Sequence, residues 1–289
     1  MESFKIEPFL HSENSSHYIN TKILSDLLIA RPDQLFQPHR ILFNCIHLFL
    51  EGEGVFHVDF KAINVKPRHI LFVSPYQVSQ FQHDPKYKSK VMIFTEDFFC
   101  KSMIQSQFYS ETNLFNDPLT LPYFDLGERF EEVCVLFEYI QNELARPHSE
   151  MQGIILNNYL FNILLITEEI SVSSKINFDF CTNRLLVTRF KSLVNKNLNQ
   201  HYGLDYYSSE LNVSLRTLQN AFLKVENQTP KQWLINRMIL EIKRNLMYGG
   251  ISISEIAYGL GFKEVTNFTK FFKIKTGLTP TQFRNNYGK

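Results

Sequence analysis

The stretch SISEIAYGLGFKEVTNFTKFFKIKTGLTPTQF, Ser252–Phe283, decides the fold of the back of this chain. Ser252 or Ser254 is placed to cap a helix whose first turn carries Glu255, because a hydroxyl there accepts from the unpaired N–H groups of the first turn. Ala257 supplies a small residue where two helices cross closely. Gly261 permits the left-handed backbone of a tight turn. A second helix then starts near Glu264 and turns Phe268 and Phe272, four apart, to one side. The segment reads helix, tight turn, helix.

The same pattern occurs once more upstream. Leu218, Phe222, Thr229-Pro230 and Gln232-Trp233 recur as Phe268, Phe272, Thr279-Pro280 and Gln282-Phe283 at an offset of 50, and Leu211-Asn212-Val213 recurs as Leu260-Gly261-Phe262 at an offset of 49. The one-residue slip falls in a turn between helices. Asn212 takes the part of Gly261, as Asn tolerates the left-handed region. In the first copy the second helix begins at Ser214. Between the copies, Pro230–Tyr248 reads as one long helix, with Pro in its first turn and Gly249-Gly250 after its end. At about 1.5 Å per residue such a rod sets two helix pairs roughly one DNA turn apart.

With Leu218, Phe222, Phe268 and Phe272 inward, spacing turns Ser214, Arg216, Thr217 and Asn220 outward in the first copy, and Lys263, Thr266, Asn267 and Lys270 in the second. These side chains hydrogen-bond base edges or phosphates in a major groove. The charge balance agrees. Arg184–Lys289 holds 16 Lys and Arg against 6 Asp and Glu, and Met1–Asn183 holds 14 against 23, within an overall +1. The back of the chain suits a polyanion and the front repels one.

The segment from about Arg184 to Tyr287 resembles the DNA-binding domain of the AraC/XylS family of transcription regulators. The resemblance rests on Ser252–Ala257, Leu260-Gly261-Phe262, Asn267–Lys273, Gly277–Pro280 and Phe283-Arg284. It implies base contacts from both second helices, led by Arg216 and Asn220 in one and Thr266, Asn267 and Lys270 in the other. Departures lie mostly in the first copy. Ser208 stands where the family usually has Ala, Asn227 where it usually has Gly, and Asn220 where a basic residue is common. The second unit is therefore expected to grip DNA at least as firmly as the first.

Ahead of a linker placed at 171–183, the front has two textures. From about residue 18 to 100, short runs rich in Phe, Val and Ile (Ile41–Leu50, Val55–Phe60, Ile70–Val73) are cut by turn residues, as in an antiparallel barrel or sandwich. Gly52 and Gly54 are expected to supply a hairpin turn. From about 126 to 170 the period changes to that of two helices, the first ended by Pro147. The expected fold is α+β: a cupin-like antiparallel β-barrel with two following helices in a regulatory or dimerisation domain, 1–170, and an all-α domain of two helix-turn-helix units on a long helix, 184–289.

Glu51–Gly54, Val58-Asp59-Phe60 and Leu71–Val78 resemble the cupin-type barrel of many such regulators. The metal-ligand positions of that fold fall here on His39, Ile41, Cys45 and Ser79, and only His39 keeps the expected residue. Neither metal nor cofactor is expected, nor an enzyme. Phe43, His47, Phe49 and His57 are candidates to line an effector pocket, since alternate strand residues share a face. The four cysteines are far apart, fitting free thiols in a reducing compartment. No apolar run is long enough to span a bilayer, so a cytoplasmic protein without a membrane partner is expected. The chain is read as a sequence-specific transcription regulator with duplex DNA, a second copy of itself, a small-molecule effector and, if it activates, RNA polymerase as partners. A cupin-type enzyme with a DNA-binding tail and a non-specific architectural DNA-binding protein are the rival readings.

Overall fold

The computed structural model describes residues 6–7, 9–11, 17–172 and 179–287. They fall into two compact units, one ending at Val172 and one starting at Asp179. The middle of the stretch read as a linker, 173–178, lies outside the described residues, and Asp179–Asn183 is already helical.

In the front unit the strands are β1 (Ile6–Glu7), β2 (Ile19–Ile23), β3 (His39–Ile41), β4 (Asn44–Gly52), β5 (Gly54–Val58), β6 (Lys61–Val65), β7 (His69–Val73), β8 (Val78–Gln80), β9 (Tyr87–Phe94) and β10 (Tyr123–Asp125). They form two five-stranded sheets, ordered β1-β3-β8-β5-β6 and β10-β7-β4-β9-β2. All neighbours are antiparallel except β1 and β3. No strand pair among the described residues joins the two sheets, so the expected barrel is open.

Two local expectations are corrected. The run Ile41–Leu50 is not one strand: Ile41 ends β3 in the first sheet, and β4 starts at Asn44 in the second. Gly52 and Gly54 do not turn a hairpin either, because β4 and β5 lie in different sheets. They carry the chain round a corner, where Gly52 has φ +75° and any Cβ would sit 2.0 Å from the Lys86 carbonyl oxygen. The real hairpin is Val58-Asp59-Phe60-Lys61. Asp59 takes φ 55°, and its carboxylate accepts from the Val78 N–H and from Gln77 Nε2, both at 3.1 Å. A carboxylate held this way stands in for glycine at the turn.

Strand β4 is buried on both faces, which is why its apolar run is nearly continuous. Its odd positions Cys45 and Phe49 join Phe56, Val58 and Phe81 in the core between the sheets, while Ile46 and Leu48 face the other way. That second face is covered by helices. They include α6 (Phe130–Ala145) and α7 (Gln152–Val172), the two expected, whose Val133, Phe137, Ile140, Leu160 and Ile163 are buried against the sheet. Five shorter helices precede them and carry no signal long enough for the sequence to announce: α1 (Leu24–Ala30), α2 (Pro32–Leu35), α3 (Glu96–Phe99), α4 (Met103–Glu111) and α5 (Asn113–Asn116).

The back unit is all helix: α8 (Asp179–Asn197), α9 (Leu204–Glu210), α10 (Leu215–Glu226), α11 (Pro230–Tyr248), α12 (Ile253–Gly259), α13 (Val265–Thr276) and α14 (Pro280–Tyr287). The long connecting helix has the bounds read from its Pro and Gly residues. Around Phe190 of α8, the rings of Phe222, Tyr207 and Trp233 close in at 5.0, 5.4 and 6.0 Å. Around the second helix pair, Phe262 meets Phe268 at 5.3 Å and Phe272 meets Phe283 at 5.6 Å. Among the described residues, no helix is long and apolar enough to cross a membrane.

Candidate nucleic-acid interface and effector cavity

The internal repeat holds down to individual hydrogen bonds. After α9, the N–H groups of Leu211, Asn212 and Val213 donate to the carbonyls of Tyr207, Ser209 and Ser208 at 3.1, 3.0 and 3.0 Å. After α12, those of Leu260, Gly261 and Phe262 donate to Ile256, Tyr258 and Ala257 at the same three distances. Both turns place a left-handed residue at the middle position, Asn212 with φ 54° and Gly261 with φ 79°. Ser208, where a smaller Ala stands in the second copy, is buried and satisfied: its hydroxyl donates to the Asp205 carbonyl at 3.1 Å. The helices α10 and α13 likewise end on left-handed Asn227 and Gly277.

Such turns fix which face of α10 and α13 is free. Leu218, Ala221 and Phe222 are buried on α10, and Phe268 and Phe272 on α13. Arg216, Thr217 and Asn220, and Thr266, Asn267 and Lys270, are exposed, and each stands 50 residues from its counterpart. Lys263 and Ser214 lie exposed at the two helix entrances. Ser214 has a structural part as well. Its hydroxyl caps α10 by accepting from the Thr217 N–H at 3.1 Å and lies 2.8 Å from the Thr217 hydroxyl. Asn267 reaches back to Glu264 at 3.5 Å, a weak tether that leaves its amide available.

Cations in this unit sort into two groups. Lys191, Arg237 and Arg244 are buried and paired: Lys191 with Glu226 at 2.6 Å, and Arg237 and Arg244 on either side of Glu241 at 3.2 and 3.1 Å. Arg237 also donates to Asn195 of α8 at 2.8 Å, tying the connecting helix to the first unit. Arg216, Lys263 and Lys270 are exposed and make no ion pair among the described residues. Lys273, one turn beyond Lys270, is exposed as well and adds a further cation to this helix beyond those singled out from the sequence. The three-residue spacing from Lys270 was the available signal.

At the far end of α11, Arg284 of α14 donates to the carbonyls of Leu246 and Ile251 at 3.3 and 2.7 Å. These bonds close the C-terminus of the rod over the second helix pair. At the entry to α12, Ser252 and Glu255 form a reciprocal capping box. Hydrogen bonds from the Ser252 hydroxyl and then from its backbone N–H hold the Glu255 carboxyl below its ordinary range.

The front unit holds a cavity of about 60 Å³ between its sheets. Of the four positions expected to line an effector pocket, Phe43 and His47 are on its wall, while Phe49 and His57 are not. Phe49 faces the same side of the strand but packs deeper, against Tyr87 and Tyr123. His39, Ile41, Cys45 and Ser79, the positions of the cupin metal pattern, do come together on that wall. His39 and Ser79 face each other across β3 and β8. No group of three or more His, Cys, Asp or Glu placed to hold a metal ion exists among the described residues.

Burial governs the titration of this wall. It presses His47 down to about 3 and His39 below its ordinary value, and raises the Cys45 thiol well above its own. Both imidazoles are thus neutral and the thiol protonated at neutral pH.

Two family models match the chain, one in each compact unit: an AraC-like ligand binding domain over residues 23–155 and a helix-turn-helix domain over 207–286. Histidine kinase P4 of Formosa agariphila is 31% identical over 40% of this chain and 8% of its own length. The virulence regulon transcriptional activator VirF of Yersinia enterocolitica is 30% identical over 33% of this chain and 35% of its own. The uncharacterized HTH-type transcriptional regulator YobQ of Bacillus subtilis is 19% identical over 87% of this chain and 90% of its own. The chain thus spans well under two thirds of the first two relatives and most of the third. A ligand-binding model on the front unit and a helix-turn-helix model on the back give the chain the two-part layout of AraC-like transcription regulators.

Proposed function

We propose that this chain is a sequence-specific DNA-binding transcription regulator whose occupancy is set by a small molecule in the front unit. The observation that carries this reading is the matched pair of turns. Two helices offer side chains of one kind, Arg216, Thr217 and Asn220 against Thr266, Asn267 and Lys270, on faces set by the same hydrogen bonds. The connecting helix has 19 residues, so at about 1.5 Å per residue it covers most of one DNA turn. Lys263 and other exposed lysines of this unit neutralise phosphates, while Arg216, Asn220, Thr266, Asn267 and Lys270 read base edges of two successive major grooves. The proposal includes a cytoplasmic dimer of this chain, and contact with RNA polymerase where it activates. It includes no catalysis: Ile41 has no donor atom, and it stands where the cupin pattern asks for a ligand.

Selection of bound duplexes from a random pool tests the reading. A regulator enriches one motif with two half-sites about one helical turn apart, and keeps a large specificity ratio as salt rises. Retention of all sequences alike, falling together with salt, establishes the architectural alternative instead.

A further inference from the structure

The cavity of the front unit has an uneven chemistry. Leu27, Leu35, Phe43, Phe81, Val91 and Ile93 make most of its wall apolar. Its buried polar groups are mostly satisfied. His39 is held by the Gln37 carbonyl at 3.0 Å, Asn20 by the Leu10 carbonyl at 2.7 Å, and Glu7 by Arg31. Two atoms differ. His47 Nδ1 and Ser79 Oγ are both buried, belong to residues that are 2% exposed, and find no hydrogen-bond partner in the protein. A buried polar atom without a partner costs stability, and natural folds keep few of them without reason. Here both stand on the wall of one cavity.

The ring of His47 is further constrained. Its other nitrogen, Nε2, lies 3.3 Å from Cys45 Sγ. With a protonated thiol and a neutral imidazole, one proton is shared along this contact, and the tautomer sets whether Nδ1 donates or accepts. Nδ1 is left for an oxygen-bearing ligand, as donor to a carbonyl or as acceptor from a hydroxyl, and the Ser79 hydroxyl donates or accepts as required. Among the described residues of the wall, the cations are the exposed Lys22 and, behind Glu7, Arg31, which is paired with it.

Resting on the proposed effector-responsive function, we infer that the effector is a small uncharged molecule with an apolar body and a single carbonyl or hydroxyl oxygen, which His47 and Ser79 bind. A carboxylate would lose its hydration beside Glu7, with only the solvent-exposed Lys22 on the wall to offset it. A sugar would bury several hydroxyls against a wall with two free partners, leaving most of them unpaired. An aliphatic or aromatic ring carrying one oxygen satisfies both orphan atoms and covers the apolar wall.

The test uses the full chain and four ring compounds of near-equal size: cyclopentanone, cyclopentanol, cyclopentane and cyclopentanecarboxylate. Binding is followed at pH 7 by ligand-observed NMR and by the thermal midpoint. Cyclopentanone and cyclopentanol bind at least tenfold more tightly than the carboxylate. Ser79→Ala weakens cyclopentanone about fivefold, leaves cyclopentane unchanged, and does not lower the midpoint of the free protein, because the lost hydroxyl has no partner. Ile41→Trp, which fills the cavity, abolishes all binding. Carboxylate binding as tight as that of the ketone overturns the proposal. So does the absence of binding by any of the four, which would leave the two atoms to water. DNA selection is run in parallel: a protein that selects a motif but binds no probe refutes the ligand class alone. One that binds cyclopentanone but selects no motif refutes the regulator reading and leaves the pocket chemistry standing.

Discussion

The ring of His201 meets the ring of Phe262 edge-on, with 4.4 Å between centroids. His201 sits in the loop before α9 with a left-handed φ of 54°, and Phe262 closes the turn of the second helix pair. Next to it, a Cβ on Gly261 would lie 2.7 Å from the Asn199 carbonyl oxygen and 2.9 Å from the Cβ of His201. A loop belonging to the first repeat thus rests directly on the turn of the second.

That contact makes the two turn-ending glycines of the second repeat unequal. Gly261 and Gly277 have nearly the same φ, 79° and 80°, but nothing lies within 4 Å of a Cβ built on Gly277. Gly277→Ala is expected to cost about 1 kcal/mol, the backbone penalty alone. Gly261→Ala adds a clash with backbone and is expected to cost about 3 kcal/mol. Urea denaturation of the two variants measures the difference, and equal losses would remove the contact as a source of stability.

On the exposed faces, Arg216→Ala and Lys270→Ala are each expected to weaken a selected site by about 1–3 kcal/mol per lost base contact. Their melting points stay at the parent value, since both side chains are exposed and unpaired. Footprints identical to the parent would mean that other residues face the groove.

The buried acid on the connecting helix behaves differently. Glu241 lies between Arg237 and Arg244, whose side chains are 6% and 0% exposed. Glu241→Gln takes the shared carboxylate charge from two buried guanidinium groups and is expected to cost about 3–5 kcal/mol. Thermal unfolding of the variant reports it, and a loss below about 1 kcal/mol would show that the arginines find other compensation.

Acid should loosen the front unit through His47. Its folded pKa, about 3, lies below the unfolded value near 6.5, so its contribution is whole above pH 6.5 and is lost as pH falls toward 3. Within that window each pH unit removes roughly 1–2 kcal/mol for this one proton. His47→Gln is expected to flatten the stability profile between pH 6 and 4 by that amount. An unchanged slope would assign acid sensitivity to the other depressed imidazoles, His39 and His17.

The back unit was legible in the sequence because its signals are local. Gly261, Asn212, Pro230 and the spacing of Phe268 and Phe272 each demand a particular backbone or face within one or two turns. The front unit was legible only in outline, since strand partners are chosen over long range. Gly52 and Gly54 look like a hairpin until Gly52 is found against Lys86, and Asp59 looks ordinary until Val78 and Gln77 converge on it. The candidate pocket divides the same way. Alternation put Phe43, His47 and Phe49 on one face of the sheet, but only the packing of Tyr87 and Tyr123 takes Phe49 away from the cavity.

The Arg237–Glu241–Arg244 group also bears on how this lineage can drift. A change at Glu241 alone takes the shared carboxylate from two buried guanidinium groups at once, whereas a change at either arginine leaves the other pair in place. Glu241 is therefore the position whose replacement demands compensation at both of the others. Among diverging descendants Glu241 should change only together with its arginines, while the exposed Arg216 and Lys270 are free to vary.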